Sequence, residues 1–280
     1  MANEHPAGGE HAVFWRDRDL GNLELLHANY IRHRFVPHIH DGFAIGVIEA
    51  GAEQFDYRHA RHVAPMGSVV VINPGEPHTG SAATDGGWRY RMLYPASELL
   101  QDAASQLADR PHGIPFFPEP VIDDATLAHE IAQLHRALER SDDRLERESR
   151  LLLAFGRLVQ RHAEACPIIL PTPTHDDQAI QRVRSLLHDR YNERVTLAEL
   201  AEGAGFSPFH LLRLFHARVG LPPHAYLTQV RVHRAKELLA HGLAVAKVAA
   251  LVGFTDQSHL TRHFKRIVGV PPGVYRAARA

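Results

Sequence analysis

Two short stretches near the C-terminus carry side chains suited to reading the edges of base pairs. Phe209, Leu212, Arg213 and His216 follow one another at intervals of three and one, as do Gln257, Ser258, Thr261, Arg262 and Lys265. At 3.6 residues per turn each set would occupy one face of a helix. Arginine pairs with the guanine edge, glutamine with adenine, and apolar carbons meet thymine methyls. The first face therefore offers mainly apolar contact through Phe209 and Leu212, the second hydrogen bonds through Gln257 and Thr261, so unequal readout is expected.

A second constellation consists of imidazoles. Pro37-His38-Ile39-His40-Asp41 sets two histidines two residues apart, on one face of any strand, and His78 follows Asn73-Pro74-Gly75-Glu76-Pro77. Three readings stay open for His38, His40 and His78: contacts to a small-molecule effector, satisfied structural histidines, or ligands of a divalent metal. Arg34, Glu53, Tyr57, Trp88 and Arg91 join them as effector candidates because their types suit a polar ligand.

The helices that must position the first constellation are announced by a repeat. His210, Leu211, Arg213, Phe215, Val219, Gly220, Pro222, Pro223 and Tyr226 recur 49 residues later, from His259 to Tyr275. Upstream, Ala198, Ala201, Gly205 and Phe206 recur at a lag of 48, so the second copy has one extra residue before its second helix. Each copy reads as helix, glycine turn, helix. Thr196 caps the first helix, Ser207-Pro208 starts the second, and Leu211, Phe215 and Val219 form its buried stripe, matched by Leu260, Phe264 and Val268. Between the copies a helix from about Pro223 to His241, closed by Gly242, would be roughly 28 Å long, comparable with the roughly 34 Å between successive major grooves on one DNA face.

Charge divides the chain in the same way. From Asp177 onward 15 Lys and Arg face 7 Asp and Glu, net +8, whereas the first 176 residues hold 16 against 25, net −9. A basic half suits phosphate and an acidic half does not. The one cysteine, Cys166, excludes an internal disulfide framework and fits a reducing cytosol. No apolar run approaches the roughly 18 residues of a membrane span, and Met1 to Glu10 lacks a signal-peptide core, so an intracellular, cytoplasmic protein with no membrane partner is expected.

Five strand-like runs are read in the first half: Leu23 to Ile31, Phe43 to Glu49, Gln54 to Arg58, Ser68 to Asn73 and Trp88 to Tyr94, with Ala50-Gly51 among the turns. They suggest a small barrel or sandwich. Ile131, Leu134 and Leu138, then Leu145, Leu152, Phe155 and Val159, read as two antiparallel helices. The prolines of 167–176 mark a linker between domains at 1–166 and 177–280, and Asp176 or Asp177 could cap the helix that follows.

Residues from about Ile180 to Arg276, above all the run Gly253 to Lys265, resemble the DNA-binding domain of AraC/XylS-type transcriptional regulators. The resemblance implies base contacts at Phe209, Leu212, Arg213, Gln257, Ser258, Thr261 and Arg262, promoter DNA and RNA polymerase as partners, and most often activation. Ala244 departs from the pattern by lacking the cap that Thr196 supplies. Residues from about 23 to 95 resemble the cupin-like sensor that precedes such modules, yet the glutamate that completes a cupin metal set is missing between Phe43 and Ile45. The expected architecture is α+β: a cupin-like barrel over about 23–95, a helical hairpin over about 123–165 that transmits a signal, pairs subunits into a homodimer or only packs on its own barrel, and an all-α domain of two helix-turn-helix modules. No cofactor is required beyond an effector. The alternatives are a metal-dependent cupin-type oxygenase or isomerase with a helical appendage, and a regulator whose sensor is vestigial.

Overall fold

The computed structural model describes residues 9–108, 110–141, 144–164 and 175–278. Two compact units are present, formed mainly by residues 1–168 and 169–278. The expected linker at 167–176 lies largely outside the described residues, as does Cys166.

The first unit is built on antiparallel strands: β1 (His11–Asp17), β2 (Leu23–Tyr30), β3 (Arg34–His38), β4 (Ala44–Tyr57), β5 (Ala60–Pro65), β6 (Val69–Ile72), β7 (His78–Ala82), β8 (Trp88–Tyr94) and β9 (Val121–Ile122). Their hydrogen-bonded order is β1-β2-β8-β4-β6-β9, with β5 and β7 also on β4 and β3 on β7. Strand β4 joins the two parts of this cupin-like barrel. Its first half pairs β6 and β8, its second β5 and β7. The reading of two strands separated by an Ala50-Gly51 turn is corrected here. These residues form an irregularity within one long strand, and Gly51, at φ 68°, lies so close to the Gly87 carbonyl that a Cβ would stand 2.0 Å from it.

Alternation assigns the two faces of the sheet. Leu23 and Leu25 of β2, Ile45 and Val47 of β4, and Leu93 of β8 pack outward against helices; Leu26, Ala28 and Tyr30, then Trp88, Tyr90 and Met92, take the opposite face. The outer core is completed by α1 (Ser97–Ala108), α2 (Ala125–Arg140) and α3 (Arg144–His162). Helix α2 supplies Leu127, Ile131, Leu134 and Leu138, and α3 supplies Leu151, Ala154, Phe155, Leu158 and Val159. Leu152, expected on the buried stripe, is 52% exposed because the stripe is centred one position away. Asp124 fastens the hairpin: it accepts the Leu127 N–H at 2.9 Å as the cap of α2 and receives Arg161 at 2.9 Å and His162 at 3.1 Å from α3.

The second unit is helical: α4 (His175–Asp189), α5 (Leu197–Ala204), α6 (Pro208–Val219), α7 (Pro223–Ala240), α8 (Val245–Leu251), α9 (Gln257–Val268) and α10 (Pro272–Ala277). Asp176 and Asp177 lie in the first turn of α4, where carboxylates suit the helix dipole, rather than before it. Helix α7 packs on both modules, touching α4 and α6 on one side and α8, α9 and α10 on the other. Among the described residues no helix is long and apolar enough to cross a membrane.

Candidate DNA-reading helices and effector barrel

The two reader helices are equivalent in length and in how they begin and end. Each has twelve residues. Ser207 caps α6 by accepting the His210 N–H at 3.3 Å, and Asp256 caps α9 by accepting the His259 N–H at 2.7 Å. Gly220 and Gly269 end them in the left-handed conformation, at φ 75° and 86°. The extra residue of the second copy is therefore absorbed in the turn between Gly253 and Asp256, before the helix starts. Gly253 is required there. At φ 80° it lies against the Asn192 backbone, where a Cβ would approach to 2.8 Å.

Leu211 and Phe215 are buried on α6, with Val219 only partly so; on α9 the buried set is Leu260, Phe264 and Ile267. Ile267 thus replaces the expected Val268 in the stripe. Arg213 and His216 are exposed and Leu212 half-buried; the Phe209 side chain lies outside the described residues. On α9, Gln257, Ser258, Arg262 and Lys265 are exposed, but Thr261 is half-buried and its hydroxyl donates to the Gln257 carbonyl at 2.8 Å. Burial, together with the neighbouring His259, Arg262 and Arg266, lowers the pKa of His263. The surface of α9 is positive.

Support for these helices comes from residues that the sequence pattern did not single out. Arg231 of α7 donates to the Tyr191 carbonyl at 2.7 Å and the Glu193 carbonyl at 2.9 Å, and its guanidinium lies 6.0 Å from the Phe254 ring centre. Arg184 and His188 of α4 reach the Tyr226 hydroxyl at 3.1 and 2.9 Å. Partners about forty residues apart give no local signal.

In the barrel, the ligand nitrogens of His38, His40 and His78 lie within 4.8 Å of one another. The Nδ1 atoms of His38 and His78 are 2.9 and 3.2 Å from the Val36 and Glu76 carbonyls, so a proton on each Nδ1 leaves Nε2 as the acceptor. Three imidazoles so arranged fit a transition-metal ion with open coordination positions; no carboxylate belongs to the group. His40 also lies 5.0 Å from Tyr94 between ring centres.

Glu53, Phe55 and Tyr57 alternate on the buried face of β4, and Trp88 is buried on β8. Tyr57 is held by Asn73, whose amide donates to the phenol at 3.0 Å and to the Phe117 carbonyl at 2.8 Å while accepting the Phe117 N–H at 3.0 Å. Two of the expected effector residues are displaced. Arg34 is exposed at the start of β3. Arg91 has the parity of Leu93 and so faces outward, where it meets Glu49 at 2.8 Å, Glu139 at 2.8 Å and His135 at 3.1 Å. Glu49 gathers Arg91, Arg136 at 2.9 Å, His27 at 3.4 Å and Arg89 at 3.6 Å. Burial alone would raise its pKa, but these partners hold it well below the usual carboxylate range. A cavity of about 910 Å³ opens beside this network on the outer face of the sheet.

Comparison with known proteins agrees with this geometry. Residues 20–155 match the AraC-like ligand binding domain and residues 200–278 a helix-turn-helix domain. A putative AraC-like transcription regulator of Streptomyces lividans is 38% identical over 236 residues, covering 79% of this chain and 74% of that one. The HTH-type transcriptional regulator YbfI of Bacillus subtilis is 29% identical over 239 residues, 85% of this chain and 86% of its own. An apo ToxT variant from Vibrio cholerae shares the fold at a TM-score of 0.59 and 13% identity, over 91% of this chain and 97% of that one. The chain belongs to the AraC-like transcription regulators, a class of DNA-binding proteins that joins a ligand-binding barrel to paired helix-turn-helix modules. Its relatives are regulators rather than enzymes, which sets aside the oxygenase or isomerase alternative.

Proposed function

We propose that the chain is a small-molecule-responsive activator that reads two adjacent major grooves of promoter DNA, with α6 and α9 as the inserted helices. The observation that carries this reading is the pair of twelve-residue helices with equivalent caps, connected through the eighteen residues of α7. At 1.5 Å per residue α7 is about 27 Å long, comparable with one DNA turn. Leu212, Arg213 and His216 would meet one groove, along with Phe209, and Gln257, Ser258, Arg262 and Lys265 the other. Thr261, whose hydroxyl is already engaged, is left mainly its methyl group for contact.

Activation is supported by relatives named as activators, RhaS of Salmonella at 24% identity over 88% of this chain and NphR of Rhodococcus at 38% over 38% of it. RNA polymerase is then the partner that the DNA-bound protein contacts, in the cytoplasm. Response to a small molecule is supported by the matched ligand-binding domain, and a structure of ToxT is described as bound to an unsaturated fatty acid. His38, His40, His78, Glu53, Tyr57 and Trp88 are the barrel residues assigned to the effector, and no cofactor enters the reading.

Footprinting the purified protein on DNA flanking its own gene tests it. Two protected major-groove segments about one turn apart are expected. Protection of a single segment would reduce the double reader to one module.

A further inference from the structure

The most unusual group inside the barrel is Glu53. It is only 8% exposed, and among the described residues its carboxylate makes no hydrogen bond and no ion pair. Buried carboxylates are ordinarily paired, because leaving water without a partner is costly. Its surroundings are aromatic. The position that a Cβ on Gly80 would occupy is 2.9 Å from Glu53 Oε1 and 3.1 Å from the Phe35 ring, so carboxylate and ring flank one point where β7 carries no side chain. Phe35 lies 5.7 Å from Tyr30 between ring centres, and Tyr30 lies 5.3 Å from Trp88 and 6.0 Å from Tyr90. The Trp88 indole nitrogen is likewise buried without a hydrogen-bond partner.

Among the described residues the neighbouring arginines stand outside this cluster, while the His33 imidazole packs on the Tyr30 and Phe35 rings at 4.5 Å between ring centres. Arg89 and Arg91 take the outer face of β8, and Arg34 is exposed. Burial first, and then nearby phenols and Glu53, raise the pKa of Tyr90, so this neighbour stays neutral. Burial holds the unpaired Glu53 carboxyl protonated in the free chain up to about pH 8, so a docking cation displaces that proton; the carboxylate then holds the cation by charge and hydrogen bonding, and the rings hold it by their quadrupoles. An anionic ligand gains nothing from the electron-rich ring faces and keeps the carboxyl from ionising, whereas a cation is favoured by both the rings and the ionised carboxylate.

We propose that the effector is a small organic cation, a primary amine whose ammonium group docks on Glu53 and whose body lies against Tyr30, Phe35, Trp88 and Tyr90. This rests on the effector-responsive reading above and gives it a ligand class. The full chain is titrated with primary ammonium ions from methylammonium to 2-phenylethylammonium, and with the alcohol and carboxylate of each skeleton, followed by tryptophan fluorescence and thermal shift. At least one ammonium ion should bind, at least about tenfold more tightly than its alcohol or carboxylate, as expected for a charge-assisted contact. Glu53→Gln should lose that preference while remaining folded, with a melting temperature at neutral pH no lower than that of the parent chain. Gly80→Ala, which places a methyl group between carboxylate and ring, should weaken the same ligand. Failure of every ammonium ion to bind, preference for a carboxylate, or undiminished binding by a folded Glu53→Gln would overturn the proposal. DNA binding that persists while all amines are ignored would refute the ligand class alone; amine binding that leaves DNA affinity and transcription unchanged would instead refute the effector-responsive reading.

Discussion

Arg262 and Glu53 make their contributions one side chain at a time. Arg262 is exposed on the positive face of α9, one turn beyond Ser258, where a guanidinium can reach a guanine edge. Arg262→Ala is expected to weaken binding to the proper site by about 1 to 3 kcal/mol and to relax one base position, measured by titrating single-base variants of the footprint. Equal weakening on every sequence would place Arg262 on phosphate. Glu53 predicts a pH effect. Burial raises its pKa from 4.5 to about 8, so between those values the folded chain holds a proton that the unfolded chain has released. Stability from this group is complete below about pH 4.5 and is lost as pH rises toward 8, at a slope that can approach about 1.4 kcal/mol per pH unit. The titratable groups that feel its charge are Tyr90 and Tyr94 on β8, whose pKa values are themselves raised, first by burial, so both stay neutral over this range. Subtracting the denaturation profile of Glu53→Gln isolates Glu53, and two parallel profiles would contradict the assignment.

Helix ends explain why the two modules are not interchangeable. Thr196 and Glu199 form a reciprocal capping box at the start of α5: the Thr196 N–H donates to the carboxylate at 2.8 Å and the Glu199 N–H to the hydroxyl at 3.2 Å. At α8 the cap position is Ala244, which makes no side-chain bond. Ala244→Asp should therefore stabilise the second module by about 1 kcal/mol, read as a higher denaturation midpoint and slower amide exchange at Lys247. No change in either would show that this end is held by tertiary contacts. Elements with a local code were legible in the sequence: both reader helices, their caps, the closing Gly242 and the hairpin all follow from capping residues and a 3.6-residue period. Strands β1, β3, β5, β7 and β9 and helix α1 carry no such local code, and β4 reads as two strands. Such strands are defined by long-range partners, and Gly51 carries the same signal in a strand irregularity as in a turn.

Across the whole molecule, the buried stripes of α2 and α3 are satisfied by the barrel's own outer face, which leaves Leu152 and Leu153 of α3 exposed at 52% and 66%. If this face pairs subunits, solution mass should show a concentration-dependent dimer that Leu153→Asp shifts toward monomer. A strict monomer at every concentration would remove the homodimer and leave the hairpin its packing role. The opposite charges of the two halves, net −9 before Asp177 and net +8 from it onward, confine attraction for phosphate to the second.

The sequence by itself determined the duplicated reader and the division into two domains, because repeats, caps and charge balance are written in neighbouring residues. Only the tertiary structure decided which barrel residues face inward. Arg91 and Glu53 both read as polar strand residues, and a one-residue difference in strand parity sends a side chain to the opposite face. Arg91 is thereby placed among counter-ions beneath α2, while Glu53 is left alone among aromatic rings, and that separation becomes visible only once the strands are paired.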